Sequence, residues 1–347
     1  MRSESSKVPL VIGIVLNLGV LFYFKYYNFF VSAINDAFNT SILIKKILLP
    51  LGISFFTFQQ IGFLVDTYRG EVKEVSFVDY ALFVSFFPQL IAGPIVSQSE
   101  MIPQFRDLKK HSWDGEGFYR GLTLFVFGLA KKVLVADTLG SAVDIGYSSL
   151  PVMGGLDSFL IMIWYSLQLY FDFSGYCDMA RGLARMLGFN IPVNFDSPYK
   201  SDNIIEFWKH WHITLTRFFT KYVYIPLGGN RKGNVRMLIN ILIIYFLSGL
   251  WHGAGYNFIL WGMLHGILYV ITRAIGLYGN DKCIINKIPR VIKRLFTFIY
   301  VSFAWVYFRA ESISQGNELI RNILTGNWRN VNYSISSENI TYQFITL

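Results

Sequence analysis

The sequence predicts an all-α protein that crosses a membrane several times. Of its 347 residues, 53% are hydrophobic and 18% aromatic, whereas only 15% are charged. Soluble domains carry about 25% charged residues, so lipid explains this shortage of charge better than an unusually large core does. Apolar runs long enough to span a bilayer recur along the chain, and residues 237–272 contain no Asp, Glu, Lys or Arg.

The basic residues indicate how the chain is oriented. The formal net charge is +9, and many of the Lys and Arg residues cluster at the ends of apolar runs. This distribution is typical of cytoplasmic loops and lipid headgroup contacts, so we expect no nucleic-acid partner. Lys131-Lys132, residues 231–236 and Arg273 are predicted to be cytoplasmic in a multi-pass protein of the cell membrane.

The predicted organisation is one membrane-embedded domain over residues 1–310, followed by a polar C-terminal tail over residues 311–347. The first apolar run lacks a signal-peptide cleavage site and is interpreted as a retained span. Spans or part-spans are predicted near residues 8–30, 41–65, 79–97, 118–136, 157–175, 236–252, 256–273 and 293–308.

The segment 83–105 is apolar but contains Pro88, Pro94 and Pro103. Each proline removes a backbone donor and disturbs helical hydrogen bonding. Broken backbone at membrane depth is tolerated only where protein or a water-filled cavity covers it. The segment is therefore predicted to be re-entrant or to form a broken helix.

A helical hairpin is predicted between Arg236 and Arg273. The 36 uncharged residues between them would form about 54 Å of helix, too long for one span of about 30 Å. Residues 253–255, Gly-Ala-Gly, are the natural break, which places both arginines on one side of the membrane and His252 near the turn. His265 would lie about 15 Å back along the second arm, where we expect a helix–helix hydrogen bond.

Residues 201–230 have the profile of an amphipathic helix at or dipping through the interface. Ser201 or Asp202 can cap this helix, Glu206 lies in its first turns, and the Ile-Pro-Leu-Gly-Gly run ends it.

Two histidines lie on this predicted helix. His210 and His212 would point about 200° apart, so both cannot face one site. If His212 faces a site, Trp208 and Thr216 share its side. Trp208 and Trp211 also suggest interface anchoring, in which case either histidine could be a polar residue at headgroup depth.

A polar cluster interrupts the apolar segment 165–189, where Gln168, Asp172, Ser174 and Asp178 occur. An acidic residue within a membrane needs a partner or water, which a cavity would supply. The alternative is a local ion pair such as Asp178–Arg181, or a helix-end cap.

Several chemistries are not indicated. The sequence contains no phosphate-binding loop, no metal-ligand pattern and no Gly-x-Ser-x-Gly nucleophile motif. Cys177 and Cys283 form neither a metal pattern nor a disulfide framework, and His111 is expected to be solvated. His252 remains the candidate for chemistry, its alternative role being a helix-end histidine bonded to a freed carbonyl.

The chain resembles the membrane-bound O-acyltransferase family over roughly residues 45–310, and most closely the bacterial members that O-acetylate alginate. The motifs that carry the resemblance are "FFPQLIAGPIV" (86–96), "LQLYFDFSGYCDMARGLARMLGF" (167–189), "FWKHWHITLTRFFTKYVYIPLGGNRKG" (207–233) and "LSGLWHGAGYNFILWGMLHG" (247–266).

The resemblance implies a ring of transmembrane and re-entrant helices around a central funnel. It implies that His252 and His212 are catalytic, that no cofactor or metal is bound, and that an acyl donor, acetyl-CoA or an acyl carrier thioester, arrives from the cytoplasmic side. The acceptor would be an exported polysaccharide such as alginate, or an extracytoplasmic acetyltransferase partner protein, on the other side. Supporting or substrate-channel roles are expected for Trp251, Trp208, Asp172, Asp178, Gln168 and Asn257.

Two alternative functions remain open at this level. One is D-alanyl transfer to teichoic acid, because these residues do not identify the donor. The other is a transporter or export-pore subunit, which should show internal repeats with paired broken helices; none is found in the sequence. Members of the family usually have additional spans, so the chain is expected to be a shortened or fragmentary member.

Overall fold

The structure, a computed structural model, describes residues 7–72, 74–90, 93–107, 113–278 and 288–329. His111, Cys283 and residues 330–347 of the predicted tail lie outside these ranges. Within them all regular secondary structure is helical, as predicted. The α-helices are α1 Lys7–Leu21, α2 Tyr27–Phe38, α3 Ile53–Tyr68, α4 Phe77–Ser85, α5 Gln98–Arg106, α6 Gly115–Ala130, α7 Asp137–Ser148, α8 Gly155–Met186, α9 Ile204–His210, α10 Ile213–Phe219, α11 Asn234–His252, α12 Tyr256–Tyr278, α13 Arg290–Arg309 and α14 Ile313–Thr325.

Three π-helical segments in the described part of the chain connect or extend these helices. Phe22–Tyr26 joins α1 to α2, Lys131–Ala136 joins α6 to α7, and Thr220–Tyr224 extends α10. The chain from residue 115 to 148 is therefore one long helical segment that contains the predicted span 118–136.

Four helical segments in the described part of the chain are long and apolar enough to cross a membrane. They are Lys7–Phe38, Asn234–His252, Tyr256–Leu277 and Arg290–Arg309. The span predicted from residue 41 is wrong in its first half, because residues 41–50 have no regular structure and α3 begins at Ile53.

The predicted hairpin is confirmed as α11 and α12, with the break at residues 253–255. Its two helices pack backbone to backbone at glycines. A Cβ atom on Gly249 would collide with the Phe258 carbonyl, and one on Gly262 would collide with the Tyr245 carbonyl. Small residues at such crossings allow membrane helices to approach closely.

The described residues form two compact units, each discontinuous in sequence. The first consists of Met1–Phe125, Met179–Val193 and Thr214–Ile225, and the second of Val126–Asp178, Asn194–Ile213 and Pro226–Leu347.

The first unit contains the proline-rich segment 83–105, which is broken as predicted. Helix α4 ends at Ser85, a 3₁₀ turn covers Phe87–Gln89, and α5 begins at Gln98. Pro103 lies inside α5 and does not end it. The break is covered by a buried apolar cluster built from Phe83, Phe86, Val96, Met101, Ile102, Phe105, Ala180, Ala184 and Ile191.

The second unit holds every candidate site residue, together with α14. This helix lies within the predicted polar tail and was not expected from the sequence. Leu319 of α14 is buried, Gly316 lies against the Tyr307 ring, and the Tyr307 hydroxyl donates a hydrogen bond to Asn317 at 2.9 Å. The tail thus continues the packed structure beyond α13.

Candidate active site

His252 is the last residue of α11, directly before the glycine break. It is partly buried among three rings: its centroid lies 4.8 Å from Trp251, 4.9 Å from Trp261 and 5.1 Å from Phe308. Gly253 is required next to it, because a Cβ there would collide with the Phe258 ring. The turn therefore presents a partly accessible imidazole, held edge-on by aromatic neighbours, at one end of the hairpin.

His212 lies between α9 and α10, where the predicted continuous helix is interrupted. Helix α9 ends at His210 and Trp211 is extended; His212, whose φ of 45° is in the left-handed region, then redirects the chain into α10. Asn203 caps α9 by accepting a hydrogen bond from the Glu206 amide at 2.9 Å, in place of the predicted Ser201 or Asp202. A continuous helix was the wrong prediction because apolar periodicity does not reveal a single left-handed residue.

Buried groups hold the His212 ring in place. The side chain is 2% exposed, and its Nδ1 lies 3.2 Å from Oδ1 of Asn194. The Asn194 amide nitrogen donates in turn to Sγ of Cys177 at 3.3 Å. Phe173 meets the imidazole edge-on, with the ring centroids 4.7 Å apart.

The hydrogen bond to Asn194 defines the tautomer of His212. Burial lowers the pKa of His212, which lies outside the four candidate spans, to about 3, so the ring is neutral at physiological pH. Because Asn194 offers its carbonyl oxygen, Nδ1 carries the proton and donates it. Nε2 is then a hydrogen-bond acceptor, and it is buried with no hydrogen-bond partner among the described residues.

Aromatic rings connect the surroundings of the two histidines. Trp261, against His252, stacks on Trp305 at 5.3 Å, and Trp305 lies 5.0 Å from Trp211. Trp211 lies 5.0 Å from Phe195, which in turn lies 6.4 Å from His212. These rings form the core around both candidate residues, and direct proximity of the two imidazoles stays a prediction.

The tryptophans were not all placed correctly from sequence. Trp208 and Trp211 are 6% and 3% exposed, so interface anchoring is the wrong interpretation for both. Trp208 packs against Trp261 at 6.1 Å and against His265 at 5.1 Å. Trp251 is also buried and lies against His252.

The predicted polar cluster on α8 is held by two lysines from the adjoining helical segment. Asp178 pairs with Lys131 at 2.6 Å, and Asp172 pairs with Lys132 at 2.8 Å. Asp178 thus has a partner 47 positions away in sequence, and the pair with Arg181 stays a prediction.

Gln168 lies one turn before Asp172 and packs against Gly140 of α7. Its Oε1 is buried without a hydrogen-bond partner among the described residues. Ser174 on the same helix also has a buried side-chain oxygen without such a partner, so Gln168 and Ser174 are the members of this cluster that could still hydrogen-bond a ligand.

The Asn257 side chain connects two helix ends. Its amide donates hydrogen bonds to the carbonyls of Tyr307 at 3.2 Å and Ala310 at 2.7 Å, which joins the start of α12 to the end of α13.

His265 does not make the predicted helix–helix hydrogen bond within the described residues, since both ring nitrogens lack a partner. It is fully buried and contacts the rings of Trp208, Trp261 and Trp305.

The sequence did not lead us to predict two residues of the site, Asn194 and Trp261. Asn194 lies in an irregular connection, and Trp261 is one apolar residue in an apolar helix. The sequence feature that could have identified Asn194 is its uncharged amide next to the aromatic Phe195, in the segment after α8. Nothing local in the sequence pairs it with His212, eighteen positions later.

The fold and the site together define a multi-pass helical membrane protein with a histidine at the break of a glycine-packed hairpin. Residues 13–309 match the model of the membrane-bound O-acyltransferase family, and the chain belongs to that family.

Among curated relatives, the peptidoglycan O-acetyltransferase of Helicobacter pylori is 40% identical over 91% of this chain and 64% of its own length. The probable alginate O-acetylase of Pseudomonas aeruginosa is 41% identical over 90% of this chain and 59% of its own. The teichoic acid D-alanyltransferase of Streptococcus thermophilus is 28% identical over 68% of this chain and 59% of its own. The chain thus spans about 60% of the length of these relatives.

Proposed function

We propose that this chain catalyses O-acyl transfer, moving an acetyl group from a cytoplasmic thioester donor to a hydroxyl of an exported cell-surface polysaccharide. The observation that carries the proposal is the placement of His252 at the hairpin break, partly accessible and edge-on to aromatic rings. Membership of the acyltransferase family and 40% identity to an O-acetyltransferase support it.

His252 is the general base in this proposal. A sugar hydroxyl is a poor nucleophile until a base within hydrogen-bond reach removes its proton. His252 takes that proton as the hydroxyl oxygen attacks the thioester carbonyl. Collapse of the tetrahedral intermediate breaks the C–S bond, and the thiolate leaves with the proton that His252 returns. The surrounding rings exclude water, which would otherwise hydrolyse the donor.

His212 orients the acceptor. Its tautomer supports this choice over polarisation of the carbonyl oxygen, because Nε2 carries no proton and can only accept a hydrogen bond. An acceptor hydroxyl can donate to it, whereas a carbonyl oxygen cannot. Asn194 is the positioning residue that keeps the proton on Nδ1.

The donor is proposed to approach from the side of Arg236 and Arg273, and the acceptor from the side of the turn. This arrangement combines the hairpin with the positive-inside expectation. The identity of the acyl group, the identity of the polymer and the participation of any partner protein that shuttles the acyl group are also parts of this proposal.

The decisive experiment is polymer O-acetyl analysis in cells that carry either the wild-type chain or His252→Ala. Loss of acetylation with normal membrane levels of the variant is the expected result. Full acetylation by a well-assembled variant would contradict the proposal.

D-alanyl transfer is the second candidate, supported by the 28% identical D-alanyltransferase. The same cells distinguish the two by the ester released on mild alkaline treatment, since acetate and D-alanine separate by chromatography.

A further inference from the structure

The second unit contains a polar cavity of about 450 Å³ where α7, α13 and α14 meet. Its volume lies in the range of small-molecule sites. The residues that give it chemical character are Asp144, Tyr147, Arg309, Glu311, Gln315 and Glu318.

The cavity adjoins the candidate active site. Arg309 directly follows Phe308, whose ring contacts His252. Asn257, just after the hairpin turn, bonds the carbonyls of Tyr307 and Ala310 on either side of that pair. The cavity therefore lies at the turn end of the hairpin, opposite the end that carries Arg236 and Arg273.

One cationic group in the cavity lining is fixed in position. The Arg309 guanidinium pairs with Asp144 at 2.6 Å and lies 5.0 Å from the centre of the Tyr147 ring. Glu311 lies in the connection before α14 and Glu318 lies in the middle of α14, so a loop and a helix each present one carboxylate.

The charge and hydrogen-bonding character of this lining select a class of ligand. Among the described residues, the lining has three carboxylates and one guanidinium, and Arg321 pairs with Glu318 at 4.0 Å from outside the lining. The site therefore stays formally negative, which repels a polyanion such as a uronate polymer. Carboxylates, an amide and a guanidinium instead bind neutral hydroxyl and acetamido groups through charge-assisted hydrogen bonds. The carboxylates are not grouped as a metal site within the described residues.

We infer that this cavity is the acceptor subsite and that it binds a neutral glycan segment rich in free hydroxyls. The inference rests on the proposed function, because it assigns the acceptor side of the same reaction. It favours an uncharged, N-acetylated polymer over a uronate polymer as the natural acceptor.

Binding of two tetrasaccharides to the purified full-length chain in lipid nanodiscs tests the inference. The probes are an N-acetylglucosamine tetramer and a hexuronate tetramer, measured by calorimetry. We expect the wild-type chain to prefer the neutral tetramer. Glu311→Gln combined with Glu318→Gln should weaken its binding about tenfold or more, because two charged acceptors are lost. The matched control is Glu116→Gln on α6, an exposed carboxylate paired within its own helix, which should leave binding unchanged.

Three results would overturn the inference: no binding of the neutral tetramer at millimolar concentration, a wild-type preference for the hexuronate, or unchanged affinity in the double variant. The His252→Ala variant separates this inference from the proposed function. It should keep tetramer binding and lose transfer. If it kept transfer, the proposed function would fail on its own, whatever the binding result.

Discussion

Nδ1 of His212 lies 3.2 Å from Oδ1 of Asn194, and the two residues are also joined through backbone: the Ile213 amide donates to the Asn194 carbonyl at 3.0 Å. The connection after α8 therefore holds both the main chain and the ring of His212. The pKa of His212 should therefore respond directly to a charge placed at position 194.

Replacing Asn194 with Asp should alter the pH dependence of acyl transfer. Burial lowers the pKa of His212 to about 3, so in the wild-type chain this ring stays neutral above that pH. A carboxylate at position 194 favours the imidazolium, raises the pKa of His212, and moves the loss of activity on the acid side to higher pH. Transfer rates measured between about pH 5 and pH 8, the range over which histidines titrate, check this expectation.

Asn194→Leu is the matched control for side-chain size. It removes the hydrogen bond without adding charge, so it should lower activity at every pH and leave the shape of the profile unchanged. Identical profiles for the Asp variant and the wild-type chain would count against the positioning role.

His212 and His210 form a natural pair of variants. His212→Ala should lower transfer by about 10²-fold or more, because the acceptor loses its hydrogen-bond partner. His210→Ala should change transfer little, because His210 is only partly buried at the end of α9. Acetyl release assays on membranes with equal amounts of each variant provide the measurement. A mutant pair with the opposite ranking would remove His212 from the mechanism.

The α11–α12 hairpin should depend on Gly262. A methyl group there meets the Tyr245 carbonyl, so Gly262→Ala should lower the free energy of unfolding by about 1–3 kcal/mol. Gly276, on the same helix, has open space around its Cβ position. Gly276→Ala should be neutral or raise stability by about 0.5–1 kcal/mol, since alanine is the better helix former. Thermal unfolding in detergent compares the two, and equal melting temperatures would show that the close approach is not needed.

The sidedness of the hairpin can be measured by cysteine labelling. In a chain without Cys177 and Cys283, single cysteines at positions 231 and 273 should react only after the membrane is permeabilised. A cysteine at position 311 should react from outside. Labelling of position 231 or 273 in intact cells would contradict the orientation used for donor and acceptor.

The parts of the fold that depend on local composition were predictable from the sequence. The uncharged run 237–272 and its glycine break identified the hairpin, because charge and glycine act locally on a membrane helix. Prolines identified the break in 83–105 for the same reason. Residues 41–50 are mostly apolar, apart from Lys45-Lys46, yet irregular, since hydrophobicity alone does not form a helix.

The candidate site was predictable in part. His252 stood out because a titratable residue in an apolar run is costly. The environment of His212 was not predictable, because it depends on Asn194, Cys177 and Phe173, which approach it through tertiary packing. The ion pairs of Asp172 and Asp178 likewise join segments that are distant in sequence.

The left-handed backbone of His212 has a consequence for engineering. A non-glycine residue in this region costs about 1–3 kcal/mol, and glycine would adopt the same angles without that cost. His212→Gly would also leave a cavity at a fully buried site and remove the hydrogen bond to Asn194, which together cost about 2–5 kcal/mol. The glycine variant should therefore be no more heat-resistant than the wild-type chain, so a selection for thermostability alone would retain this histidine.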